Sequence, residues 1–145
     1  MPVFEFHETM TGSLRLLGEA KEAPMSFTIR ARSQRLWASV GAKIEIEGEV
    51  DAEGFADHRL LRGSIDAGAI FHRRIPYAFE FTGNDGAIYA FSGEKTLTPG
   101  ALVVSFSVLP GEIRSMSGAL VGRALLRFDV RSEALRYLKS FRTAL

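Results

Sequence analysis

Strict alternation of charged and uncharged residues between positions 42 and 50 is the feature that most constrains the fold. Lys43, Glu45, Glu47 and Glu49 alternate there with small or apolar residues. Successive side chains of a β-strand point to opposite faces, so such a segment buries one set and exposes the other. A helix would spread the four charges around its axis. The pattern therefore predicts a half-buried strand.

The same period of two recurs along most of the chain. Each recurrence predicts one strand whose alternate residues share a face. The predicted sets are Phe4, Phe6, Glu8 and Met10; Phe27, Ile29 and Ala31; Tyr77, Phe79 and Phe81; Leu102, Val104, Phe106 and Val108; and Leu120, Gly122, Ala124, Leu126 and Phe128.

Turn signals separate these runs. Asn84-Asp85-Gly86 is typical of a tight hairpin. Asp51-Ala52-Glu53-Gly54, Thr98-Pro99-Gly100 and Leu109-Pro110-Gly111 are also predicted to be turns.

Short strands at this regular spacing predict an all-β domain spanning residues 1–145. We expect a closed antiparallel up-and-down barrel, calycin-like or lipocalin-like, of about eight to ten strands. A two-sheet sandwich is the alternative. Closure leaves no unpaired edge strand. A barrel of about eight strands can hold one small ligand, whereas a sandwich of the same strands is filled by side chains.

The last segment has a different period. Residues 132–142 have helical spacing, and Ser132 is suited to cap the first turn. Lys139 lies near the C-terminus of the segment, where a helix favours positive charge. We predict one C-terminal α-helix there.

Residues 111–145 hold seven basic against three acidic side chains, whereas residues 1–110 hold eleven against fourteen. The basic end is either a solvated face or a surface for an acidic partner or an anionic membrane.

Composition excludes several function classes. The chain has no cysteine, and its three histidines, His7, His58 and His72, lack metal-ligand spacing, so we predict no metal site and no cofactor. Ser92 and Lys95 match a Ser-x-x-Lys motif but follow a strand, where they face opposite ways, so no catalytic residue is predicted.

A net charge of +1 argues against nucleic-acid binding. No apolar run is long enough for a membrane span and no secretory signal is present, so a cytoplasmic location is expected.

Two charged residues lie on otherwise apolar faces. Glu8 shares its face with Phe6 and Met10, and Lys95 shares its face with Phe91. If both faces point inward, the two charges neutralise each other or flank a polar group of a ligand, since an unpaired buried charge is costly. If the strand ends are open, both reach water and neither has a special role.

Several motifs resemble a known domain. Phe6-His7-Glu8-Thr9-Met10-Thr11-Gly12 resembles the Phe-x-Glu-x-Met-x-Gly opening of a β-rich accessory domain of bacterial flavoprotein oxidoreductases, the cholesterol-oxidase-like group of the glucose-methanol-choline class. Tyr77-x-Phe79-x-Phe81, Gly86, Tyr89-x-x-x-Gly93-x-Lys95 and the segment 120–142 are also similar, whereas 103–107 departs from the expected Thr-rich sequence. The resemblance implies a domain that works near lipid or sterol substrates, with a flavoprotein oxidoreductase as a partner, and implies no oxidase activity.

Three functions follow as hypotheses. The first is a non-catalytic barrel that binds a small lipid-like or sterol-like molecule. Its predicted lining is Phe6, Phe27, Trp37, Phe79, Phe91 and Phe106, with Glu8, Tyr89 and Lys95 orienting the polar end of the ligand. The second is a small-barrel cyclase or isomerase that uses Glu8, Tyr89 or His72 in acid–base chemistry. The third is an interaction module that docks a partner through the basic C-terminal helix. The sequence indicates no oligomeric state.

Overall fold

Eight antiparallel strands form a barrel in the computed structural model, which describes residues 4–33 and 43–127. The strands are β1 (Phe4–Leu16), β2 (Ala23–Ser33), β3 (Lys43–Ala52), β4 (Ala56–Asp66), β5 (Arg74–Thr82), β6 (Ile88–Thr96), β7 (Val108–Ser115) and β8 (Leu120–Arg127). A 3₁₀ helix, η1 (Ala67–His72), connects β4 to β5, and a short α-helix, α1 (Leu102–Phe106), connects β6 to β7.

Each strand pairs with the next along the chain, and β1 pairs with β8 to close the barrel. The predicted closed up-and-down barrel is therefore confirmed, with eight strands in the described part of the chain, and the sandwich alternative is wrong. The predicted C-terminal helix, 132–142, lies outside the described residues.

The two ends of the barrel differ in their connections. The connections 17–22, 53–55, 83–87 and 116–119 lie at one end, which we call the hairpin end. The opposite end carries η1 and α1, together with the first residue of β1 and the last of β8, and we call it the α1 end. Lys95 lies one residue before β6 stops at the α1 end.

The predicted alternation of buried and exposed side chains is confirmed. On β3, Ile44, Ile46 and Val50 are buried, whereas Lys43 and Glu45 are exposed. Strands β2 and β5 bury their predicted apolar faces in the same way, and β8 buries Ala124 and Leu126 in the same central core. From the face predicted for β8, Leu120 is only half-buried and Phe128 lies outside the described residues. Burial of these alternating side chains is what fixes the strand register, since a shift of one residue would turn each apolar face outward.

The predicted hairpin turn at Asn84-Asp85-Gly86 is also confirmed. Gly86 has φ +83°, a left-handed conformation that glycine adopts without steric cost. The Gly83 amide donates to the Ala87 carbonyl at 2.8 Å, and the Asp85 carboxylate accepts a hydrogen bond from the Ala87 amide at 3.0 Å. This turn sets the register of β5 against β6.

The strand predicted over 102–108 is wrong, because this segment forms α1 and only then enters β7. Its apolar, β-branched sequence is typical of a strand, but the segment packs as a helix against β6 and β7, which it connects. The Phe106 side chain is buried there. Tertiary packing of that ring outweighs the local strand preference.

The turn predicted at Leu109-Pro110-Gly111 is also wrong, because all three residues lie within β7. Pro110 is exposed on the outer face of the barrel, while Leu109 is buried. Gly111 faces inward at a point where an added Cβ would lie only 2.4 Å from Cζ of Phe91. The glycine is therefore required by close packing across the strand pair, not by a turn.

Candidate functional site

Three polar side chains meet inside the apolar barrel near its α1 end. The Lys95 ammonium donates a hydrogen bond to Glu8 Oε2 at 2.9 Å, and the Tyr77 hydroxyl donates to Glu8 Oε1 at 2.7 Å. The three residues come from β6, β1 and β5, so the contacts cross the interior from one wall to the other. We call this group the polar triad. It confirms that Glu8 and Lys95 both point inward and pair directly.

The ion pair of the polar triad is buried. The Lys95 side chain is 0% exposed and that of Glu8 is 3% exposed. Burial lowers the pKa of the Lys95 ammonium, while the charge of Glu8 and its hydrogen bond act in the opposite direction. The interpretation in which both groups reach water through open strand ends is therefore wrong.

Two aromatic rings flank the Lys95 ammonium. Its Nζ lies 4.9 Å from the centre of the Tyr77 ring and 4.7 Å from the centre of the Phe106 ring. Both distances are within the range in which a cation is attracted by the electron-rich face of a ring. Tyr77 therefore contributes twice, through its ring to the ammonium and through its hydroxyl to the carboxylate.

Helix α1 brings Phe106 to the polar triad. The Ser105 hydroxyl accepts a hydrogen bond from the Thr98 amide at 3.0 Å, which ties the helix to the end of β6. While Phe106 is buried, Leu102 and Val104 on the same short helix are exposed. The α1 end thus has an apolar outer surface directly beside the ring that covers Lys95.

Aromatic rings fill the middle of the barrel. Phe79 stacks on Phe91 with ring centres 4.7 Å apart, and Phe27 meets Phe79 edge to face at 5.2 Å. Gly93 and Gly111 form a cross-strand pair beneath the Phe91 ring, which occupies the space that their side chains leave. These predicted lining residues therefore contact one another across the interior.

Tyr89 lies apart from the other predicted polar residues. It is six residues from Lys95 along β6, roughly 20 Å away at the usual rise of a strand. Its hydroxyl donates to Asp85 at 2.6 Å at the hairpin end, and this hydrogen bond raises the pKa of Tyr89. The ring packs against Phe55 and Phe81. The structure thus does not bring Tyr89 together with Glu8 and Lys95.

The remaining predicted lining residues have different outcomes. Phe106 is brought to the polar triad, as described above. Phe6 lies on β1, but its side chain is outside the described part of the structure, as is all of Trp37. Tyr77 is a polar residue of the site that was not among the predicted site residues, although its alternation with Phe79 and Phe81 predicts an inward side chain.

The outer wall carries a separate groove. Its volume is about 860 Å³, and it is lined mainly by outward side chains of β2 to β5. Leu60, 82% exposed, lies in the groove beside the Arg30–Glu47 ion pair and His58. Among the predicted ligand-binding residues whose side chains the structure describes, none lines the groove.

The described residues show no arrangement for a metal. Within 4–33 and 43–127, no three His, Asp or Glu side chains come together in a way that could hold a metal ion. No helix in this part of the chain is long and apolar enough to cross a bilayer.

Comparison with known proteins returned no match: no protein-family model, no curated protein and no solved structure matches this chain. The resemblance to the accessory domain of cholesterol-oxidase-like oxidoreductases therefore stays a prediction based on the motifs quoted above.

Proposed function

We propose that this chain is a non-catalytic binding module whose barrel accepts a small, mostly apolar molecule such as a lipid or sterol. The observation that carries the proposal is the polar triad of Glu8, Tyr77 and Lys95 inside an otherwise apolar interior. Well-packed hydrophobic residues often replace a buried ion pair without loss of stability, so the fold alone does not require this group. A few placed polar groups in an apolar site are what orient a ligand.

The charge of the polar triad favours a neutral polar group on the ligand. Glu8 and Lys95 neutralise each other at 2.9 Å. A ligand carboxylate would place two negative charges beside one positive charge in a region without water, which is unfavourable. A hydroxyl or carbonyl group adds no charge. We therefore expect a sterol or fatty alcohol to bind more tightly than a fatty acid.

The α1 end supplies the route into the barrel. A helix of five residues is too short to be stable without tertiary contacts, so displacing α1 costs little helix stability of its own. Displacing Phe106 would uncover Lys95 and open the space that the ring now fills. The exposed Leu102 and Val104 provide an apolar surface on which a lipid-like molecule can first adsorb.

An accessory role beside a lipid-modifying or sterol-modifying flavoprotein oxidoreductase extends this proposal. Its support is the motif resemblance, above all Phe6 to Gly12 and Tyr89 to Lys95. The interaction module that docks a partner through 132–142 concerns residues outside the described structure.

A cyclase or isomerase remains the second candidate, since the polar triad holds an acid–base pair in the interior. Of the residues predicted for that chemistry, Glu8 lies in the polar triad, Tyr89 lies at the hairpin end and His72 is exposed at the α1 end. Chemical change of a bound ligand, measured by chromatography after incubation, would favour the enzyme, and recovery of unchanged ligand would favour the binding module.

The binding test uses two fluorescent probes of different polar groups. Dehydroergosterol carries a hydroxyl, and cis-parinaric acid carries a carboxylate. We expect the purified protein to raise the emission of both, with tighter binding of the sterol. Replacing both charges, as Glu8→Gln with Lys95→Met, removes a hydrogen bond to a charged group and should weaken sterol binding about tenfold or more.

The outward residue Glu80 provides the matched control, because Glu80→Gln changes a carboxylate on the exposed face of β5. It should bind both probes like the unaltered protein. The proposal fails if neither probe gains emission with protein that is folded by circular dichroism. It also fails if the double variant binds the sterol as tightly as the unaltered protein does.

A further inference from the structure

We propose that Lys95 forms a covalent, reversible imine with an aldehyde or ketone carbonyl of the bound molecule. The inference rests on the proposed function, because it names the reactive group of the ligand for the same site. It is carried by the geometry around Lys95, in which a buried amine, a carboxylate at 2.9 Å and two aromatic rings are assembled in an apolar interior.

The amine needs to lose a proton before it can attack a carbonyl, and the site provides for that loss. Glu8 Oε2 already accepts a hydrogen bond from the Lys95 ammonium, so it is placed to take the proton. Burial lowers the pKa of Lys95, which favours the neutral amine.

The reaction balances without an oxidant or reductant. The neutral Nζ attacks the carbonyl carbon, a C–N bond forms as the C=O π bond breaks, and a proton passes from the nitrogen to the oxygen to give a neutral carbinolamine. Loss of that oxygen as water, with proton transfer from Glu8, leaves a C=N bond. Overall, the aldehyde and the Lys95 ammonium give a protonated imine and water, with one positive charge on each side. Hydrolysis reverses the step.

The same surroundings stabilise the product. A protonated imine keeps the positive charge of Lys95, so Glu8 remains its counter-ion, and the Tyr77 hydroxyl at 2.7 Å holds that carboxylate in place. The Tyr77 and Phe106 rings attract the cation and limit the access of water. The described lysines at other positions, Lys21 and Lys43, are exposed and lack this enclosure.

The experiment compares cinnamaldehyde with cinnamyl alcohol, which differ only in the carbonyl. The protein is incubated with the aldehyde and sodium cyanoborohydride at neutral pH, and the reduced adducts are located by peptide mass spectrometry. We expect Lys95 to be labelled faster than the exposed Lys21 and Lys43, because Glu8 is placed to take its proton and burial lowers its pKa. A variant with Lys95→Arg should lose that rapid phase while the exposed lysines react as before.

The outcomes separate the imine from the binding site. If cinnamyl alcohol displaces dehydroergosterol but the aldehyde labels only exposed lysines, the imine is wrong and the binding proposal stands. If dehydroergosterol itself gains no emission with the folded protein and Lys95 stays unlabelled, both proposals fail. The unaltered protein is sufficient for this decision, so the result does not depend on whether a variant folds.

Discussion

Replacing Glu8 by Gln should destabilise the protein strongly, because it leaves the Lys95 ammonium buried without a counter-ion. The substitution keeps the shape of the side chain and an oxygen that can accept the Tyr77 hydroxyl, so the charge is the main change. Breaking a fully buried ion pair typically costs about 3–5 kcal/mol of unfolding free energy. For a chain of this length, that loss corresponds to a fall in melting temperature of about 10–15 °C.

The loss should depend on pH in a definite direction. Burial already lowers the pKa of Lys95, and Glu8 supplies the interactions that raise it, so the substitution lowers it further. Between that lowered pKa and the ordinary value of 10.5, the unfolded chain binds more protons than the folded one. The unfolding free energy then rises with pH. The deficit of the Glu8→Gln protein should therefore shrink as pH increases toward 10.5.

The assay is urea unfolding followed by circular dichroism at several pH values. The control adds Lys95→Met to Glu8→Gln, which removes the unpaired ammonium and should restore most of the lost stability without this pH dependence. A Glu8→Gln protein that unfolds like the unaltered protein at neutral pH would refute the reasoning. So would a deficit that grows with pH relative to the double variant.

Three further substitutions test neighbouring features. Tyr77→Phe removes a hydrogen bond to the buried carboxylate and should lower the unfolding free energy by about 1.5–3 kcal/mol in urea titrations. Gly111→Ala places a methyl group 2.4 Å from the Phe91 ring and should cost about 1–3 kcal/mol by overpacking. Glu49→Gln removes the negative charge of the group whose hydrogen bond is the main cause of the raised pKa of His58, so NMR titration should give a lower pKa for that imidazole.

Each of these has its own control. Combining Gly111→Ala with Phe91→Leu removes the clashing ring, so the two losses should not add, and simple additivity would contradict the packing argument. Glu45→Gln, on the same face of β3 but away from His58, should leave the His58 titration unchanged. For Tyr77→Phe, an unchanged unfolding free energy would show that its hydroxyl contributes nothing to the polar triad.

Much of the barrel was predictable because burial and strand geometry share a period of two. The alternation at 43–50 and at 77–81 fixed both the strands and their inward faces, and the glycine of the 83–87 turn marked the hairpin. Segments without a regular alternation of polar and apolar residues were ambiguous. In 102–106, every residue except Ser105 is apolar, so neither a strand nor a helix follows from the pattern.

Part of the site was predictable for the same reason. The alternation of inward and outward side chains along each strand placed Glu8 and Lys95 inward. It does not indicate which inward residues contact each other across the barrel. Tyr77 was missed because its ring resembles its phenylalanine neighbours in the pattern. Counting outward from the 83–87 turn pairs Tyr77 with Gly93, two residues before Lys95. The register of this hairpin could therefore have predicted that Tyr77 lies near Lys95. The separation of Tyr89 from the polar triad follows from the same register.

The closing of β1 against β8 also shapes how the barrel forms. Seven of its eight strand pairings join neighbours in sequence, whereas this one brings Thr11 opposite Arg127. Local hairpins close small loops, but this pairing and the Tyr77–Glu8 hydrogen bond both require β1 to meet strands from the second half of the chain. We expect these contacts to form late on the folding pathway. Substitutions of Glu8 should then accelerate unfolding far more than they slow folding.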